Sequence, residues 1–124
     1  MNKKRSTTST SAKRISEDGA ERTVQHLSLP EQVVVAMRRR SRLKEERVGA
    51  VWDAACQSFA VKFGTKPCQQ YVFPHKSASK QKDYRTLWID SRILEKCRKI
   101  ADRDRMSVSR VIHTAAVLFL ESQE

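Results

Sequence analysis

The feature that most constrains this chain is an internal repeat. Sliding residues 24–63 onto residues 84–123 without a gap, an offset of 60, pairs Leu27 with Leu87, Arg38 with Arg98, Val48 with Val108, Val51 with Val111, Ala55 with Ala115 and Phe59 with Phe119. Leu29/Ile89, Val33/Ile93, Val34/Leu94 and Trp52/Ile112 add apolar pairs. Six identities over 40 positions barely exceed chance, so what repeats is the set of positions to be buried. A unit of that length cannot bury its apolar face alone, and each copy therefore needs a partner.

Both copies read in the same order. An alternating segment comes first, His26-Leu27-Ser28-Leu29 and then Thr86-Leu87-Trp88-Ile89, whose period of two gives one apolar face and predicts a strand. The period then changes. Ile93, Leu94, Cys97, Ile100 and Ala101 form one stripe of an amphipathic helix, opened by Asp90 or Ser91 as N-cap. In the first copy Val33, Val34 and Met37 keep the stripe after Pro30, but Arg40 and Ser41 replace Ile100 and Ala101, which predicts a less buried helix end. A second helix follows, carried by Val48, Val51, Trp52, Ala55 and Phe59 and by Val108, Val111, Ile112, Ala115 and Phe119. Ser107 and Ser109 stand at its start in the later copy, Arg47 and Gly49 in the earlier. Trp52, Phe59 and Phe119 are expected in the core.

Outside the copies the composition shifts. Residues 1–22 are rich in Ser, Thr, Lys and Arg with Ile15 as the one large apolar side chain, and read as a disordered basic tail. Residues 64–83 carry Pro67 and Pro74 and read as a linker, strapped to the body at Tyr71, Val72 and Phe73. The two units, residues 23–63 and 84–124, are expected to form one folded domain.

Lys and Arg number 25 against 14 acidic residues, a formal charge of +11 with pI near 10.1, which points to a polyanionic partner, above all nucleic acid. The lack of a long apolar run argues against a membrane partner and for a soluble, cytoplasmic protein. Cys56, Cys68 and Cys97 form no CxxC and are read as reduced thiols, buried at Cys56 and Cys97. His26, Cys68, His75 and His113 lack the spacing of a ligand set, so no metal or other cofactor is expected. Gly19, Gly49 and Gly64 lie too far apart for a phosphate loop, and no nucleophile has an evident base. An enzyme is not expected.

Strand, helix, helix in about 40 residues, with TLWIDSRIL opening the clearer copy and SVSRVI starting its second helix, resembles the ribbon-helix-helix (Met/Arc repressor-like) family of DNA-binding proteins. The likeness covers residues 84–121 well and residues 24–63 more loosely. It implies a mainly α fold with a short antiparallel β-ribbon, in which two ribbon-helix-helix units of one chain form a pseudo-two-fold pseudo-dimer that is monomeric in solution. A 20-residue linker spans up to about 65 Å, ample for that connection. The tandem form is similar to accessory proteins of plasmid and T-DNA transfer, which implies duplex DNA as partner, with a relaxase or other transfer proteins beside it, in a bacterial cytoplasm on plasmid or nucleoid. Repression is the other use, and an antitoxin-like interaction module with autoregulatory DNA binding is the alternative function.

In this family the outward strand positions read bases. The resemblance assigns that role to Val24, His26 and Ser28 on the first strand and to Tyr84, Thr86 and Trp88 on the second. Thr86, Ser28 and His26 have the hydrogen-bonding groups, while Trp88 and Val24 suit thymine methyls. Trp88 can equally serve as a cover for the core. Phosphates are assigned to the second-helix starts, Arg47, Val48 and Gly49 in one copy and Ser107, Val108, Ser109 and Arg110 in the other, where ordinary capping competes. Lys3, Lys4, Arg5, Lys13 and Arg14 are expected to add sequence-independent attraction, as are Lys76, Lys80 and Lys82. The run Arg38-Arg39-Arg40 with Arg42 and Lys44 serves either as a solvated face or as a further basic patch.

Overall fold

The alternating segments become strands that hold each other. A computed structural model describes residues 13–15, 19–65 and 82–122. Strand β2, Glu21–Pro30, pairs antiparallel with β3, Lys82–Asp90, and a short β1, Lys13–Ile15, lies on the other edge of β2, giving the sheet order β1-β2-β3. Opposed residues share a face in such a ladder. Thr23, Leu27, Leu29 and Ile89 are buried on one face, and Leu87 packs against the same core. His26 and Thr86 are exposed on the other face, with Val24, Ser28 and Trp88 half-buried.

Among the described residues four helices cover the inner face: α1, Glu31–Lys44; α2, Val48–Phe63; α3, Ser91–Arg103; and α4, Val108–Ser122. The chain is thus mainly helical with one small antiparallel sheet. Pro30 occupies the N-cap of α1 and fixes its entry, with Glu31 in the first turn. Asp90 caps α3 by accepting the N–H groups of Arg92 and Ile93 at 2.9 and 3.4 Å. Ser107 Oγ accepts the Arg110 N–H at 3.1 Å and caps α4, whereas Arg47 gives α2 no side-chain cap.

Both first helices end in the same way. Glu45 and Arg105 are the non-glycine residues with positive φ, 54° and 56°, among the described residues. Each closes a Schellman-type turn: Glu46 N–H donates to Ser41 O at 2.9 Å and Met106 N–H to Ala101 O at 2.9 Å, with Glu45 N–H to Arg42 O and Arg105 N–H to Asp102 O alongside. These turns fall 60 residues apart, at the offset of the sequence repeat.

The core forms where α2 and α4 pack together, with Val51, Trp52, Ala55, Cys56, Phe59, Val111, Ile112, Ala115 and Ala116 all buried. Cys97 also lies inside, its Sγ 4.0 Å from the Cys56 carbonyl, and the side-chain hydrogen bond that Cys56 shares with Cys97, together with burial, pushes the Cys56 thiol well up. Cys68 lies outside the described residues.

Three expectations need correction. The stretch 1–22 is not all tail, because Lys13–Ile15 forms β1 and β2 begins at Glu21. The exposed edge of β2 offers unpaired backbone groups there, and three solvent-facing residues fill them without burying an apolar group that the sequence would betray. Likewise β3 starts at Lys82, inside the expected linker. Phe119 is only half-buried, with the Arg40 guanidinium 5.2 Å from its ring centroid, whereas Phe59 is 3% exposed. The weaker end of α1 is real at Arg40, yet Ser41 is buried and donates its hydroxyl to the Glu46 carbonyl at 2.7 Å.

Candidate nucleic-acid interface

The outer face of β2 and β3 collects the expected strand positions. His26 stands opposite Thr86 at its middle, and His26 Nδ1 lies 3.1 Å from Thr86 Oγ1, a hydrogen bond in the open. Val24 is opposite Trp88 toward one end and Ser28 opposite Tyr84 toward the other. His26 and Thr86 are the residues that the sequence repeat also equates, so the centre of the register is the centre of the repeat.

The starts of α2 and α4 flank this face at its two ends. Ser28 N–H donates to Ser109 Oγ at 3.0 Å, which ties the first turn of α4 to β2. At the 60-residue counterpart Gly49 sits against β3, where a Cβ would come within 4.0 Å of the Trp88 carbonyl oxygen and 3.9 Å of an Arg22 nitrogen. Arg47 and Val48 are exposed beside it, and Ser107 is exposed beside half-buried Val108 and Arg110 at the other end. Two helix N-termini thus present backbone N–H groups and the positive ends of their dipoles beside the same strand face, an arrangement suited to anions. Ser107 and Ser109 also have structural work, the first as a cap and the second as the tie to β2.

Arg14 is not a loose tail residue. It stands opposite Arg22 in the β1–β2 register and places its guanidinium 4.1 Å from the Trp88 ring centroid. Lys13 lies 3.7 Å from Glu21. Lys3, Lys4, Arg5, Lys76 and Lys80 lie outside the described residues, as do Tyr71, Val72 and Phe73. Arg38, Arg39, Arg42 and Lys44 of α1 are exposed, as is Arg47 at the corner that follows.

The chain matches no family model, and no curated protein or solved structure shows significant similarity to it. Its chemistry has to be read from its own side chains.

Sequence reasoning missed the polar ties that hold this face on the helices. Arg22 is 8% exposed and its guanidinium lies 2.6 Å from Asp53 Oδ2 of α2, while Asp53 Oδ1 accepts the Asp90 N–H at 3.1 Å. Burial pushes the Asp53 carboxyl above its ordinary value, with the Asp90 N–H and Arg22 pulling it down less strongly. Arg98 of α3 donates two bonds to Gln25 Oε1, at 2.6 and 3.0 Å. Arg103 reaches the carbonyls of Phe63 and Gly64 at the end of α2 while forking onto Asp104. The ties between elements carry no local signal, because their partners lie tens of residues apart.

Among the described residues, no cluster of three His, Cys, Asp or Glu side chains is placed to hold a metal ion. No helix there is long and apolar enough to cross a membrane.

Proposed function

We propose that the chain is a single-chain pseudo-dimer of two ribbon-helix-helix units, residues 23–63 and 84–124, and that it binds duplex DNA sequence-specifically without catalysis. The observation that carries the reading is the shared centre: the register opposes His26 to Thr86, a pair that the offset of 60 equates, so a pseudo-two-fold axis can pass between them. The Schellman turns at Glu45 and Arg105 and the two helix starts against the strand face repeat with that offset.

On this reading the strand face enters the major groove. A groove about 12 Å wide admits a two-stranded ribbon, with strands about 4.8 Å apart. His26, Thr86 and Ser28 then meet base edges, Val24 and Trp88 meet thymine methyls, and Tyr84 lies opposite Ser28 in register. The α2 and α4 starts meet phosphates on the two flanks, and the charge of +11 supplies salt-sensitive attraction. Such a protein serves as an accessory of plasmid or T-DNA-type transfer, beside a relaxase, or as a repressor.

Selection of sites from random duplexes tests the reading. The expected consensus is not a palindrome, because the two strand faces differ at every position. Thr86→Ala should relax preference near the middle of the site by about 1–3 kcal/mol, and Ser28→Ala toward one end. A palindromic consensus, or binding with no sequence preference, would overturn it.

A further inference from the structure

The strand face that is proposed to read bases carries no Arg, Lys, Asn or Gln among Val24, His26, Ser28, Thr86 and Trp88. Those are the side chains that make bidentate contacts with purine edges. The third strand supplies what is missing. Because Arg14 opposes Arg22, it shares the face of Val24 and Trp88, and it reaches over β2 to lie on the Trp88 ring at 4.1 Å. We infer that Arg14 is a base-reading residue, a guanidinium held on Trp88 so that its free edge meets a guanine at one end of the site.

This rests on the proposed DNA reading and adds to it a named residue and a named base. An indole face attracts a guanidinium through its quadrupole, and stacking uses the flat face of the guanidinium, so its in-plane N–H donors stay available. Among the described residues no carboxylate pairs with Arg14, whereas its neighbour Lys13 is taken by Glu21. The half-buried Trp88 thereby gains a purpose: it is a platform that limits the rotamers of a long side chain before DNA arrives. On the other half of the face Ser28 stands at the position corresponding to Trp88 and has no ring to offer. The guanine preference belongs to one end only.

The test is selection from random duplexes with the full chain as wild type and as Arg14→Gln, Arg14→Lys, Trp88→Ala and Lys13→Gln. The wild type should prefer a G·C pair at one terminal position of its site by about 5- to 150-fold. Arg14→Gln should lose that preference while leaving the other positions intact, Arg14→Lys should reduce it, Trp88→Ala should lose it together with any preference of its own, and Lys13→Gln should keep it. Retention of the preference by Arg14→Gln would overturn the inference. So would an Arg14→Gln variant that weakens all sequences alike, or one that binds all of them more tightly because Arg14 merely shields Trp88. A wild type that selects no sequence would instead overturn the DNA reading itself, an outcome distinct from a clear consensus that ignores Arg14.

Discussion

At the scale of single residues, the Arg22–Asp53 pair decides how the strand face is fastened to the helices. Both side chains are largely buried, 10% and 15% exposed, so the pair is held by geometry and by the extra bond from the Asp90 N–H rather than by Coulomb attraction alone. Burial leaves the folded Asp53 pKa above its unfolded value. The folded state therefore keeps a proton that the unfolded chain has already lost, and stability falls as pH rises from about 4, the ordinary aspartate range, through the raised folded value. Asp53→Asn preserves an acceptor for the Asp90 N–H and removes this titration. Denaturant melts of both proteins at a series of pH values should show the wild type losing stability relative to the variant on going from pH 4 toward neutrality. A relative gain would mean that Arg22 outweighs burial. The sequence did not disclose this pair, because Arg22 stood in a polar stretch and Asp53 on a helix face that reads as solvated.

At the scale of elements, the repeat was legible because apolar spacing is a local signal. The stripes that begin at Ile93, Val48 and Val108 became α3, α2 and α4, and the capping role of Asp90 followed from its place before a periodic run. Burial was less legible than helicity: Phe59 and Phe119 occupy equivalent positions, yet Arg40 instead of an apolar side chain lies over Phe119. Phe59→Ala should cost about 3–5 kcal/mol and Phe119→Ala roughly half as much by denaturant melt. Equal losses would contradict the difference in burial. The two Schellman turns offer a paired test, since Glu45 and Arg105 hold a left-handed conformation that costs a residue with a Cβ about 1 kcal/mol. Glu45→Gly and Arg105→Gly should each stabilise the protein by up to about 1 kcal/mol, and a loss at either would mean that its side chain makes contacts worth more than the strain. Strand β1 had no signature at all, being three exposed residues recruited by a free edge.

At the scale of the whole molecule, β2 and β3 satisfy each other within one chain, and α2 and α4 cover each other's apolar faces. The proposed pseudo-dimer therefore needs no second copy, and light scattering at low concentration without DNA should give a mass near the 14.3 kDa of one chain. Twice that mass would mean that the apolar surface is completed between chains. The charge was legible from composition, but its distribution was not, since only the fold brings Arg14 from outside the repeat onto Trp88.

The hydrogen bond between His26 and Thr86 has a wider consequence. In an assembly of two identical chains, the residue on the symmetry axis meets its own copy, and whatever sits there must suit itself. On the proposed pseudo-dimer the axis position is split between two chemistries, which a pair of identical chains cannot offer. Such a protein has a head and a tail, and if it binds a duplex as proposed it points in one direction along it. Whatever docks on the arginine-rich side of α1 would be held upstream or downstream of the site by the DNA sequence itself, as a signpost fixes the traffic that passes it.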